Sequence, residues 1–403
     1  MRRDQVRKKM AASETIDDAG KKALAALKAR LGDGMGVRLP LLQRLGVTAP
    51  APMALASLIA NLLLIVLVLV LSGVGGELWR ATAEPIARCR SLPAGTEVSV
   101  APKLASLLVW GSLYFAAASF ICTRATRQIV DIVEHDILPF ASARFADAVR
   151  RELAREQTPL LVHLVPAVVA VLAIGATIWA LDNEPCTDGL PLEASRSLSG
   201  QHLFLGFWAV FMFYLYFTGA RAVVTATFTP IFAGALDGER ESLYLIDAAG
   251  SPLVVGLAQL NRVVLLFWAK IFVVIVSAMV LALPPGPFDF APNSPFLFTL
   301  IPVSGFFSIG VGSLIYLGSE STIATTLRRF TLDRARPLQV RINRLLADPD
   351  GEDEAAAAIR AQLAALHDRI VAGGRYGSRT GTAVSLALPF TMPVIALLDK
   401  ILF

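Results

Sequence analysis

Lys270, His163 and Asn61 fall inside long apolar stretches of this 403-residue chain, where each could do chemistry. Lys270 is the one Lys or Arg placed within such a stretch, Val263–Leu283, about 10 Å past its start at helical rise. Its stem either snorkels to the interface or holds the ammonium in a cavity, where it would favour an anion or an acidic ligand. His163 stands near the start of Leu160–Leu181, before Pro166. It suits either a hydrogen-bonded structural role or a proton relay. Asn61, in the middle of Met53–Val74, suits an interhelical hydrogen bond or a ligand contact.

Two further patterns could line a pathway. Within Phe296–Leu317 and just beyond it, Ser304, Gly305, Ser308, Gly312 and Ser319 form a stripe of small residues at helical spacing. Small residues let helix backbones approach closely in a membrane, and the same stripe could border a narrow wet path. Tyr316 and Glu320, with Thr322 and Thr325, would continue that path. The last apolar run, Ala383–Leu398, holds Pro389 and Pro393 around Thr391. Each proline removes an amide donor and frees a carbonyl one turn back. Broken backbone at membrane depth survives only where protein or a water-filled cavity covers it. These residues therefore suit a gate or binding segment, a kinked packing helix, or a re-entrant segment.

Enzyme chemistry finds little support. No carboxylate lies in any apolar stretch, and the chain has neither a P-loop nor an HExxH pair. Ser304 and Ser308 have no histidine at their depth to act as a base. The acidic run from Asp348 to Glu354 lacks the ligand order of an EF-hand loop. We expect no catalytic residue, no metal site and no cofactor.

The elements that must position these residues are long helices. Seven apolar stretches, Met53–Val74, Leu104–Cys122, Leu160–Leu181, Leu203–Ala220, Val263–Leu283, Phe296–Leu317 and Ala383–Leu398, approach or reach the length needed to cross a hydrocarbon core. Mean hydropathy is +0.60 and 55% of residues are apolar, as in polytopic helical membrane proteins. Threading the stretches in order puts 30 of the 37 Lys and Arg on one side and 6 on the other. The positive-inside rule then places the N-terminus in the cytoplasm and the C-terminus outside, in a plasma (inner) membrane. The same asymmetry accounts for the net charge of +5 without nucleic-acid binding. Cys89 and Cys186 fall on the outer side, where oxidation would join them as a disulfide, whereas Cys122 falls near the inner side.

The flanking segments read as cytoplasmic helices. Residues 1–50 are basic and amphipathic, with Thr15 and Asp18 as a capping box and Ile16, Leu24, Leu27 and Leu31 on one face. That helix lies either on the inner membrane surface or against the protein's own cytoplasmic parts. The membrane domain covers 51–317 and carries a cytoplasmic amphipathic helix over 124–156, perturbed at Pro139. Residues 318–380 form a second cytoplasmic helical segment: a basic helix interrupted at Pro337, then a helix from Glu354 to Val371 ended by Gly373 and Gly374. Residues 381–403 form the short proline-broken last span or re-entrant segment.

The expected fold is thus all-α, a polytopic membrane protein of seven helices, N-terminus in and C-terminus out. In topology alone it is similar to seven-span ligand-gated channels of the insect chemoreceptor type; no motif of that family is present, and topology does not establish function. Few intramembrane charges, a small-residue stripe and a broken last helix point to an oligomeric channel for ions or small solutes, lined by the sixth and seventh stretches. The alternative is a non-enzymatic receptor or scaffold that binds a cytoplasmic protein through its helices. A carrier for an anionic or apolar solute around Lys270 is a third reading. The expected partners are the lipid bilayer, further copies of the chain and a cytoplasmic protein.

Overall fold

The computed structural model describes residues 18–32, 49–73, 87–88, 97–98, 101–156, 163–182, 198–239, 242–282, 301–347 and 354–374. The described chain is helical, as expected, apart from an antiparallel pair of two-residue strands, β1 (Ala87–Arg88) and β2 (Glu97–Val98). Helix α1 covers residues 18–32. Then follow α2 (Pro50–Ser72), α3 (Ala101–Ile132), α4 (Ala143–Glu156), α5 (Val165–Asp182) and α6 (Leu198–Ala226). Finally come α7 (Thr229–Ala235), α8 (Pro252–Ala282), α9 (Ile301–Leu346) and α10 (Glu354–Gly373).

The described parts of six of the seven apolar stretches fall on α2, α3, α5, α6, α8 and α9, with residues 163–164 just ahead of α5. The seventh, with Pro389, Thr391 and Pro393, lies outside the described residues, as do Cys89 and Cys186. Among the described residues two helical segments are long and apolar enough to cross a membrane, Pro50–Leu71 and Pro252–Ile271. They differ in surroundings: 17% of the first is buried inside the protein and 61% of the second. Helix α2 therefore turns most of its apolar surface outward, including Leu55, Leu63, Val70 and Leu71. A run of exposed leucine and valine on this scale is what lipid contact requires. Its ends are set by sequence, with Pro50 in the first turn and Gly73 at φ 70° closing the last, its amide on the Val70 carbonyl.

Helix α8 is the hub. It packs on both α3 and α9, while α2 packs on α3 and α5 pairs with α6. Where α3 ends, a π-turn (Val133–Ile137) and a 3-10 turn (Leu138–Phe140) lead into α4. This is the perturbation expected at Pro139, whose ring and missing amide end regular α bonding. The π-turn lies against Gly256 of α8 so closely that a Cβ there would meet the Asp136 carbonyl oxygen at 2.6 Å. Only glycine lets the two backbones meet at this point.

Helices α1, α4 and α7 pack together, and their buried side chains join the same cluster as those of α3, α8 and α9. On α4, Phe145, Ala146, Val149 and Leu153 are buried together with Phe228, Phe232 and Leu236 around α7. Helix α1 joins them: Leu27 and Leu31 are fully buried in this cluster, and Ala19 and Ala23 pack with Ala146. Of the two placements open to the N-terminal helix, the structure shows docking on the protein. Helix α9 differs from expectation in one respect, since its 46 residues continue through Pro337 without interruption. Turns on both sides carry the helix across the one lost bond. At 1.5 Å per residue it is about 69 Å long, and α10 folds back along its end.

Candidate functional site

The small-residue stripe of α9 meets α8 and α7 in a tight seam. A Cβ placed on Gly312 would sit 3.2 Å from Cγ of Trp268, so the indole lies flat against the glycine. One turn further on, the buried Asn261 donates Nδ2–H bonds to the Tyr316 carbonyl at 3.3 Å and to Glu320 Oε1 at 3.1 Å. Ser319, also buried, donates to the Ile315 carbonyl at 3.0 Å and lies 3.3 Å from Thr229 Oγ1 of α7. Gly312, Tyr316, Ser319 and Glu320 are therefore brought together as an interhelical junction. Ser304, Gly305 and Ser308 belong to the helical backbone of α9 ahead of it.

Asn261, Trp268 and Thr229 were not picked out from the sequence. Asn261 and Trp268 stand seven residues apart on α8, two turns along one face, and that spacing was the available signal. The orientation of the Asn261 amide follows from its partners, since both are acceptors. Its Oδ1 and the Trp268 Nε1 are buried without a hydrogen-bonding partner among the described residues. Buried polar atoms of this kind cost stability, which marks the seam as specified by more than apolar packing.

The opposite face of α9 has no such cover. Leu314, Gly318, Ser321, Thr325, Arg328, Leu332, Arg336, Gln339 and Asn343 are all exposed, each three or four residues after the last. That spacing traces one stripe along the helix. Its upper part carries small and hydroxyl side chains, with Thr322 bonded to the Gly318 carbonyl at 2.8 Å beside it. Its lower part is basic.

The remaining polar candidates stand apart from the seam. Lys270 is exposed on the surface of α8, and His163 is exposed just ahead of α5. Asn61 donates from Nδ2 to the Ser57 carbonyl at 2.8 Å, one turn back in its own helix. No group of three or more His, Cys, Asp or Glu capable of holding a metal occurs among the described residues.

Two buried charges fasten α1, α4 and the α7 region. Arg30 of α1 is 6% exposed and pairs with Glu156 at 2.8 Å. Its other terminal nitrogen donates to Thr227 Oγ1 at 3.3 Å and to the Val224 carbonyl at 3.5 Å, so one guanidinium joins α1, α4 and the end of α6. Glu239, 2% exposed, accepts from the Ser142 amide at 3.0 Å, the Ser142 hydroxyl, and the Ser242 hydroxyl at 2.9 Å. Ser142 in turn accepts the Phe145 amide at 3.2 Å, so the carboxylate holds the residue that caps α4. At the far end of the assembly the Ala249 amide donates to the Gly373 carbonyl at 3.0 Å, tying the α10 terminus to the loop before α8. Comparison of the chain with protein-family models, with curated proteins and with solved structures found no match.

Proposed function

We propose that the chain is a seven-span membrane protein of the plasma (inner) membrane, N-terminus inside, and one subunit of an oligomeric channel. The observation that carries this reading is the exposed stripe of α9. The seam side of the helix is occupied by Trp268, Asn261 and Thr229. The other side exposes Gly318, Ser321 and Thr325 at the level where the apolar stretch gives way to the cytoplasmic extension. Subunits arranged about that face would enclose a passage bordered by small and hydroxyl side chains, completed by the proline-broken segment around Thr391. A helix continuous from membrane to cytoplasm would carry movement between the two. On this reading Ser321 and Thr325 border the passage on the face opposite Gly312, about 20 Å along the helix from Ser308.

A second reading, a non-conducting receptor or scaffold, has its own support. Leu332, Val340, Leu346 and Ile359 expose apolar surface on the cytoplasmic parts of α9 and α10. A cytoplasmic partner could cover them. In the 124–156 segment Phe145, Val149 and Leu153 are buried, while Phe140 is exposed.

Ion flux through the purified protein in liposomes separates the two. The channel reading expects flux that Ser321→Trp or Thr325→Trp reduces by about tenfold or more while thermal stability is kept, since both positions are exposed. Flux absent under all ions and voltages tried would refute it and leave the scaffold.

A further inference from the structure

The exposed stripe of α9 does not end with its hydroxyl residues. It runs on without a break into Arg328, Leu332 and Arg336, and Arg329 stands beside Arg328 one turn after Thr325; all four are exposed. From Arg328 to Arg344 the sequence holds six arginines and a single acid, Asp333. Glu320, the nearest other carboxylate on the helix, points into the seam and accepts from Asn261. The cytoplasmic continuation of the stripe is therefore strongly positive.

We infer that the pathway is anion-selective, with Arg328, Arg329 and Arg336 as the selecting residues at its cytoplasmic mouth. This rests on the channel reading, and it names the class of solute: small inorganic anions such as chloride. Copies of α9 facing one another would bring several guanidinium groups of like charge into one vestibule. That repulsion is relieved by anions and increased by cations, so local anion concentration rises and cations are turned away. Arginine stays charged at every physiological pH, so the selection does not titrate. Charge position along the helix makes the inference specific. Arg341 is also exposed but lies thirteen residues past Arg328, which is about 140° further round the helix and off the stripe.

The test is the chloride-to-potassium permeability ratio of the full chain in liposomes of neutral lipid under a potassium chloride gradient. The expected result is a ratio well above one. Arg328→Gln, Arg329→Gln and Arg336→Gln together should lower it about tenfold. Arg341→Gln, which removes the same charge per residue from another face, should leave it unchanged. Glutamine is a good helix former, so the variants keep α9 intact, and thermal unfolding would check this. A cation-preferring flux, or a ratio that the triple variant leaves in place, would overturn the anion inference while the channel stands. A protein that passes no ion at all would overturn both.

Discussion

Trp268 closes over Gly312, with the indole 3.2 Å from where a side chain at position 312 would begin. The contact decides how the small-residue stripe of α9 is used: it buys close approach to α8, and the helix must find any solvent-facing role on its other side. Gly312→Leu should therefore act on stability, not on conduction. Overpacking costs about 1–3 kcal/mol, so the variant should unfold at lower temperature than the parent in the same detergent. Gly312→Ala, with a single methyl against an indole ring, should cost far less. Equal stability of the leucine variant would show that the seam yields freely and is not the fixed joint described.

Arg30 joins α1, α4 and α6 by hydrogen bonds from one guanidinium. Glu156 is 37% exposed, so solvent screens part of the pair. Arg30→Ala should cost about 1–2 kcal/mol and act first on the attachment of α1. Hydrogen exchange of amides in residues 18–32 should quicken, with those of α8 unchanged. Arg30→Lys should rescue only part of the effect, because one ammonium cannot reproduce the planar fork.

Much of this organisation was legible in the chain because it depends on local pattern. Apolar length located the helices, glycine and proline located their ends, and the period of Leu24, Leu27 and Leu31 gave the buried face of α1. What α1 buries that face against was not legible, since lipid and protein look alike to an apolar stripe. The seam shows the same limit. Gly312 and Ser319 were visible as small residues at helical spacing, yet which neighbour they admit depends on Trp268 and Thr229, remote in sequence and brought near by packing. Glu239 gave no signal at all: its role comes from Ser142, 97 residues away.

Glu239 should prove costly to neutralise. Its carboxylate accepts three hydrogen bonds beside α4, and glutamine offers one oxygen and two donors in their place. Glu239→Gln should lose about 1–3 kcal/mol of stability, with α4 losing order first because Ser142 caps it. Circular dichroism during thermal unfolding would measure the loss. An unchanged midpoint would mean that water replaces the carboxylate without penalty.

At the outer edge of α1, Lys22 sits 2.7 Å from Asp18 one turn earlier and holds its carboxyl below the usual carboxylate value of 3.8. A carboxylate whose value is depressed in the folded state adds stability above its unfolded value, and that stability fades as pH falls through the folded one. Both side chains are exposed, so the contribution is small and salt-sensitive. Asp18→Asn should accelerate exchange in the first turn of α1 at pH 7 and make no difference well below pH 3.8. A difference that persists at low pH would assign Asp18 a role other than its charge.

The α10 terminus makes the sharpest steric prediction. A Cβ on Gly373 would collide with the Ile246 carbonyl oxygen, and one on Gly374 with the Thr331 hydroxyl. The first obstacle is backbone, held in place by the bond from the Ala249 amide to the Gly373 carbonyl. The second is a side chain, and Thr331 already turns its hydroxyl to the Leu327 carbonyl at 2.7 Å. Backbone cannot rotate away, whereas a threonine can change rotamer at modest cost. Gly373→Ala should therefore separate the loop from α10 and destabilise by about 1–3 kcal/mol, with Gly374→Ala milder. Helix α10 packs along the end of α9, the helix of the proposed pathway, so the same separation should reach that helix. In a conducting protein, Gly373→Ala should alter open probability without altering ion preference. A change in ion preference would place Gly373 in the pathway itself.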